Sequence, residues 1–326
     1  MHDGNARSPL APVFLAGPTA VGKSAVALAL AERLGGEIIS VDSMQVYCGL
    51  DLGTAKPTPA ERARVPHHLI DVVELSESFD AAKFLRLAEA AVKDIQSRGR
   101  VPIFCGGTGL YFKAWFDGLG AAPPADPRVR AELEATPLAD LLAELERRDP
   151  ATFARIDRQN PRRVIRALEV IRLTGQPFSA QRAAWPSTLD ARPSNCLIAF
   201  TREPADLRAR IEARVDAMFA AGLVEETRAL LPRGLADNPA ALQALGYRQV
   251  VEHLRGARGL GDTIALVKTK TWQFARRQRT WFRRQLAVEW VPLLPQSEPA
   301  AVARELADRI AARSPVAPLA CPQRGC

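Results

Sequence analysis

Apolar residues along the first third of the chain alternate between two rhythms. Val13-Phe14-Leu15-Ala16 is a short continuous apolar run that stops at Gly17, and Ala25 to Leu34 follows with helical spacing and good helix formers. Glu37 to Val41 reads as a second strand, ending at Asp42, and Leu69 to Val73 as a third, short one. Phe79 to Gln96 has the pattern of an amphipathic helix, with Phe84, Leu87, Ala91 and Ile95 on one side and Gly99 closing it. Val101 to Cys105 is then another buried strand, ending in Gly106-Gly107. Strands alternating with helices in this way predict an α/β fold: a parallel sheet with helices on both faces.

The rhythm changes after Gly118. Residues Ala121 to Pro127 are rich in Ala and Pro and read as a linker, and Arg128 to Thr174 is helical in character with no strand candidate. A second Pro-containing stretch, Trp185 to Ser194, leads to Cys196-Leu197-Ile198-Ala199-Phe200, a strand again. The simplest organisation is a core interrupted by a helical insertion: residues 1–120 and 196–314 form the core, 121–195 the insertion and 315–326 a frayed tail. Within the second core segment, Leu207 to Ala221 predicts a helix with Leu207, Ile211, Val215 and Met218 on one face and Gly222 as its stop. Further helices run to about Leu286, before a short strand at Glu289 to Leu293.

Composition narrows the setting. The chain of 326 residues is 47% hydrophobic and 25% charged, and no apolar run reaches the ~18 residues of a membrane span. Met1 to Pro12 lacks a cationic start followed by an apolar stretch, so no signal peptide is expected. The five cysteines, Cys48, Cys105, Cys196, Cys321 and Cys326, contain no C-x-x-C pair, which suits a reducing, cytoplasmic compartment. A net charge of +8 suits a polyanionic partner. No coiled-coil stripe argues for an oligomer, and a monomer is expected.

The chemistry begins at Gly17-Pro18-Thr19-Ala20-Val21-Gly22-Lys23-Ser24, which matches G-x-x-x-x-G-K-[ST] between a predicted strand and a predicted helix. Such a P-loop curls its backbone amides around a diphosphate or triphosphate, Lys23 adds a mobile cation, and Ser24 can hold Mg²⁺. Kinases, GTPases and ATPases share the pattern, so it does not name a reaction. Asp42 lies at the carboxyl edge of the second strand, where open α/β sheets bind ligands; it can hold Mg²⁺, accept a proton from a nucleophile, or cap a turn. Thr108, in Gly106-Gly107-Thr108-Gly109-Leu110-Tyr111, ends the next strand at the same edge, as a ligand contact or as a helix N-cap.

Several stretches, in order, resemble the tRNA dimethylallyltransferases (tRNA isopentenyltransferases). They are Gly17 to Ser24, Asp42 to Tyr47, Gly53-Thr54-Ala55-Lys56-Pro57, Pro66 to Asp71, Gly106 to Tyr111, Arg163 with Arg166 to Val170, Gly246-Tyr247, and Ala275 to Arg283. The Asp-Ser-x-Gln-Val-Tyr and Arg-Gln-x-Thr-Trp stretches are the distinctive ones. The resemblance implies a P-loop NTPase-like core and transfer of a dimethylallyl group from dimethylallyl diphosphate to N6 of adenosine 37, beside the anticodon of certain tRNAs. Diphosphate is then the leaving group, stabilised by residues 17–24 and by Mg²⁺ near Ser24. Asp42 takes the proton of the exocyclic amine, with Lys23, Thr108 and Arg214 completing the catalytic set.

The adenosine has to flip out of its stack, and Ser43, Met44 and Gln45 are implied as contacts to it. Further tRNA contacts implied by the resemblance are Arg130, Arg162, Arg163, Val164, Ile165, Arg166, Gln243, Gly246, Tyr247 and Arg248. The last group is Arg276, Arg277, Gln278, Thr280, Trp281 and Arg283. Residues Arg276 to Arg284 carry five arginines with Trp281 and Phe282 interleaved, which suits phosphates plus base stacking, although a solvated helix face produces the same charge run. Arg210 shares a helix face with Arg214 and is a weaker candidate for diphosphate or tRNA. Cys48, Gln243 and Trp272 depart from the family's usual arginines. Alternatives are an adenylate isopentenyltransferase acting on a free nucleotide, a P-loop small-molecule kinase, and a non-enzymatic RNA-binding switch. The insertion and the long basic C-terminal region favour tRNA over the first.

Overall fold

The structure, a computed structural model, describes residues 11–119, 122–181 and 197–313. Cys196, Cys321, Cys326, the Trp185 to Ser194 stretch and most of the N-terminal segment therefore lie outside the described residues. The chain divides into two compact units, one of Met1–Phe112 with Arg192–Cys326 and the other of Lys113–Ala191.

The core unit opens with β1 (Val13–Ala16), α1 (Lys23–Leu34), β2 (Gly36–Val41), α2 (Pro59–Arg64), β3 (His67–His68), α3 (Ala81–Ser97) and β4 (Val101–Gly106). Helix α4 (Gly109–Asp117) carries the chain across the unit boundary, so the division falls within a helix and ahead of the Ala/Pro stretch at Ala121. The helical unit contains α5 (Pro127–Glu134), α6 (Leu138–Arg148), α7 (Pro150–Phe153), α8 (Pro161–Thr174) and α9 (Phe178–Gln181). The core resumes with β5 (Leu197–Thr201), α10 (Pro204–Ala220), α11 (Leu223–Leu230), α12 (Tyr247–Leu254), α13 (Leu260–Gln285), β6 (Val288–Pro292) and α14 (Pro299–Arg313).

Six parallel strands run in the order β3-β2-β4-β1-β5-β6. Strands β1, β2 and β4 are buried at every position, as expected where helices cover both faces of a sheet. Phe14 stacks on Phe104 across the β1–β4 pair, with ring centroids 5.0 Å apart. One apolar cluster joins Leu15, Ile103 and Ile198 of the sheet to Leu30 of α1, Ile211 of α10 and Leu306 of α14. A second gathers Val46, Tyr47 and Leu50 with Leu223, Leu230, Tyr247 and Val250. The helical unit has a core of its own, built on Leu133, Leu141, Leu145, Val164 and Leu168.

Three expectations shift. The third strand is His67–His68, paired to Ile38 and Ile39, and not Leu69 to Val73. Leu69 and Asp71 take left-handed backbone angles (φ 62° and 56°), which ends extension, and Val73 makes only a single bridge to Tyr47. The inner face of α3 is carried by Phe84, Ala88, Ala91 and Ile95, with Leu87 half-buried. Helix α1 also starts at Lys23, two residues earlier than Ala25, so the end of the P-loop already lies in its first turn.

Candidate active site

Strand register brings the functional loops to one level. Ala16 of β1 and Val41 of β2 both pair with Gly106 of β4, so Gly17, Asp42 and Gly107 leave the sheet together at its carboxyl edge. The chain leaves β1 toward β2 on one side and later returns to β5 on the other, which opens the crevice at this edge.

Gly22 adopts φ 105°, a conformation glycine enters at little cost, and turns the P-loop into the N-terminus of α1. Beside it is a cavity of about 420 Å³ lined by Gly22, Lys23, Ser24, Arg210 and Arg214, among others. Lys23 Nζ lies 3.4 Å from the Pro18 carbonyl, within the loop. Arg210 Nε donates to the Ala20 carbonyl at 3.0 Å, and Arg202 Nε to the Val21 carbonyl at 2.7 Å. The two guanidiniums thus occupy loop carbonyl oxygens that would repel an anion. Burial lowers the Lys23 pKa; Arg214 lowers it further, while Cys105 and Asp42 act the other way. Burial likewise lowers the Arg214 pKa, and the Asp42 charge partly offsets this. Lys23, Arg210 and Arg214 form no ion pair within 4.0 Å among the described residues. Arg210 is exposed, but Lys23 and Arg214 give up water without gaining an anion, which is costly, so the cavity favours an anionic ligand.

Asp42 faces this cluster with one oxygen committed: Oδ1 accepts the amides of Met44 (2.8 Å) and Gln45 (3.3 Å). It caps a turn and still keeps a second oxygen without a protein partner among the described residues. Thr108 Oγ1 accepts the Ser43 amide at 3.1 Å, tying the β4 loop to the β2 loop and leaving its own proton free to donate. Burial pushes the Cys105 thiol up to about 11, so it is protonated at neutral pH and offers no thiolate. Lys23, Asp42, Thr108 and Arg214 therefore gather in one crevice.

The implied tRNA contacts divide into two sets. Arg162, Arg163, Gln243, Arg248, Arg276, Arg277, Thr280 and Arg283 are exposed, and Ser43, Met44 and Trp281 are half-buried. The others are buried or make hydrogen bonds and ion pairs within the protein. Gln45 accepts from Ser40 Oγ (2.8 Å) and donates to the carbonyls of Thr54 and Ala55 (both 3.2 Å), so its amide is not free to read a base. Tyr247 is fully buried, donates to Glu226 (2.6 Å) and accepts the Gly53 amide; the preceding Gly246 (φ 98°) is buried at the start of α12. Val164 and Ile165 belong to the core of the helical unit. Arg130 and Arg166 pair with Glu169, which has 0% exposure, at 2.9 and 2.6 Å. Gln278 bonds the P-loop and the Gly107 loop, and the fully buried Phe282 ring cannot stack on a base. Arg130 and Arg166 keep about a third of their side chains exposed; the other side chains of this set have their polar atoms or their surface spent on the protein, which sequence order alone does not display.

Sequence reasoning passed over Arg202. It follows β5 directly, at the same carboxyl edge that singled out Asp42 and Thr108, and it is 7% exposed. It pairs with Asp206 at 2.7 Å and donates to the carbonyls of Val21 and Leu294.

Comparison with known proteins identifies the family. A family model described as IPP transferase matches residues 45–285. A tRNA dimethylallyltransferase of Anaeromyxobacter dehalogenans is 48% identical over 301 residues, 91% of this chain and 99% of the relative. Another, from Halorhodospira halophila, is 51% identical over 84% of this chain and 91% of its own length. Among solved structures, the tRNA isopentenylpyrophosphate transferase of Bacillus halodurans superposes with a TM-score of 0.68 at 38% identity, covering 94% of this chain and 98% of that one. A eukaryotic dimethylallyltransferase described as acting on tRNA gives 0.76 at 26% identity, over 94% and 80%. The chain belongs to the IPP transferase family, the tRNA dimethylallyltransferases.

Proposed function

We propose that the protein transfers the dimethylallyl group of dimethylallyl diphosphate to N6 of adenosine 37 in tRNA, releasing diphosphate. The observation that carries this reading is the set of three cations, Lys23, Arg210 and Arg214, gathered without carboxylate partners beside a P-loop. A diphosphate supplies the missing negative charge, and it gains more as the bond to carbon breaks. In the transfer, the N6–carbon bond forms as the carbon–oxygen bond to diphosphate breaks, and the N6 proton passes to the free oxygen of Asp42. The Thr108 hydroxyl, with its proton available, helps orient the reacting groups.

Ser24 fits Mg²⁺: it opens onto the cavity, and its hydroxyl has no protein partner among the described residues. Among the described residues no group of three His, Cys, Asp or Glu could hold a metal, so an Mg²⁺ ion here would take its remaining ligands from phosphate oxygens and water. Bound Mg²⁺ offsets charge on the leaving diphosphate. The exposed arginines of α8 and of α13 support tRNA as the acceptor. Among the described residues, no helix is long and apolar enough to cross a membrane. A cytoplasmic monomer is our reading of its setting.

Incubation with labelled dimethylallyl diphosphate and unmodified tRNA tests this reading. Label in tRNA is expected. Label in AMP and not in tRNA selects the free-nucleotide enzyme, and ATP hydrolysis without prenyl transfer selects a phosphoryl-transfer or switch protein.

A further inference from the structure

Helix α13 presents two different faces. Arg276, Arg277, Thr280 and Arg283 point outward and are exposed, whereas Gln278 is 8% exposed and reaches into the crevice. Its carboxamide makes two hydrogen bonds in opposite senses. Oε1 accepts the amide of Thr19, in the P-loop, at 2.9 Å. Nε2 donates to the carbonyl of Gly107, in the loop after β4, at 2.9 Å. One side chain therefore joins the loop that grips the diphosphate to the loop that carries Thr108.

One turn further along α13, Trp281 closes on the same β4 loop. A Cβ built on Gly109 would lie 2.1 Å from the Trp281 ring, and one built on Gly107 would lie 2.3 Å from Gln278 Nε2. Real side chains do not approach this closely: at Gly109 the Trp281 ring leaves no room for one, and at Gly107 a Cβ would push the Gln278 carboxamide out of its place. The Gly-rich run at 106–109 thus accommodates Gln278 and Trp281 on either side of Thr108. Thr108 is held between these two contacts, and its Oγ1 in turn holds the Ser43 amide next to Asp42.

We infer that Gln278 is a positioning residue for the reaction, fixing the spacing between the diphosphate loop and the Thr108–Asp42 loops, with Trp281 as its companion. A hydroxyl or carboxylate displaced by ~1 Å costs on the order of 10²-fold in rate, which gives a side chain remote from the substrate a large effect. Oppositely directed bonds explain why an amide is needed. A carboxylate accepts from Thr19 but cannot donate to Gly107, and an ammonium does the reverse. The inference also separates two roles that share one helix: the outer face meets RNA, and the inner face sets the geometry of the site. It rests on the transfer reaction proposed above.

The test compares the full-length protein with Gln278→Glu, Gln278→Met and Gly107→Ala. Four quantities are measured: turnover at saturating substrates, KM for dimethylallyl diphosphate, the tRNA dissociation constant, and calorimetric binding of inorganic diphosphate. Gln278→Met removes both bonds at similar volume. It is expected to lower turnover about 30-fold or more and to weaken diphosphate binding about threefold, with tRNA affinity within about twofold. Gln278→Glu keeps the Thr19 bond but loses the Gly107 one and adds a negative charge beside the P-loop, so it should lose turnover and also weaken diphosphate binding. Gly107→Ala displaces the carboxamide without altering α13 and should reproduce the loss of turnover, which keeps the test decisive if Gln278→Met folds poorly.

Weakened tRNA affinity with unchanged turnover at saturation would overturn the inference and make Gln278 an RNA contact. Turnover and diphosphate binding within about twofold of wild type in Gln278→Met and Gly107→Ala would also overturn it, leaving Gln278 a packing residue. If the wild-type protein transfers no prenyl group, the functional reading fails, and diphosphate binding by Gln278→Met still decides whether the residue sets the P-loop.

Discussion

Around Glu169 in the helical unit, a fully buried carboxylate is met by the guanidiniums of Arg130 and Arg166 and by the Asp126 amide. Around Lys23 in the core unit, three cations line one cavity and no ion pair forms within 4.0 Å among the described residues. Both places concentrate charge, but only the first balances it internally. A balanced cluster holds its own fold together. An unbalanced one has its affinity directed at something that is not part of the chain, and a diphosphate brings the missing charge.

Asp42 offers the hardest way to test the unbalanced side, because its field reaches both Lys23 and Arg214. Asp42→Asn retains an oxygen to accept the Met44 and Gln45 amides but no longer takes a proton. Turnover should fall ~10²–10⁴-fold while the melting temperature stays close to wild type. Inorganic diphosphate should bind at least as tightly, since a negative charge has been removed from an anion site. Asp42→Ala should lose turnover equally and also loosen the turn. Near-normal turnover in Asp42→Asn would remove Asp42 as the base.

The balanced side responds in the opposite currency. Glu169→Gln leaves two guanidiniums facing a neutral amide, with the Arg130 Nε already buried and unpartnered. Stability should drop by about 2 kcal/mol, less than for a fully buried pair because both arginine side chains are about a third exposed. Chemical denaturation measures this, and diphosphate affinity should stay within about twofold of wild type. A variant as stable as wild type would mean that the cluster's hydrogen bonds, and not its charge, hold the unit.

Much of this division was readable in the sequence, and the unread part has a common cause. Strand ends are marked by where apolar runs stop, so Gly17, Asp42 and Thr108 could be placed at one sheet edge before any coordinates. The direction a side chain takes is not marked in the same way. Gln45, Tyr247 and Gln278 sit in distinctive motifs and were expected to meet RNA, yet their polar atoms are spent on Ser40 and the Thr54 and Ala55 carbonyls, on Glu226, and on Thr19 and Gly107. Motif membership reports that a residue matters and is silent on what it touches. Val164 and Ile165 were decipherable: apolar residues within a basic helix belong to its inner face by periodicity. Leu69 and Asp71 were not, since nothing local announces a left-handed backbone at either.

Arg277 gives the smallest effect and the sharpest distinction between the faces of α13. It is exposed, and its guanidinium lies 5.9 Å from the Phe274 ring, itself 36% exposed. This arrangement keeps the cation extended along the helix surface and costs little when a phosphate draws it away. If Arg277 contacts one phosphate, Arg277→Ala should weaken tRNA binding modestly and reduce the slope of log affinity against log salt by ~1. Gln278→Met, one residue away, should leave that slope unchanged because its side chain faces the crevice. An unchanged slope in Arg277→Ala would make it a solvated residue, and the exposed arginines of α13 would then have to be divided again, one by one, between RNA and water.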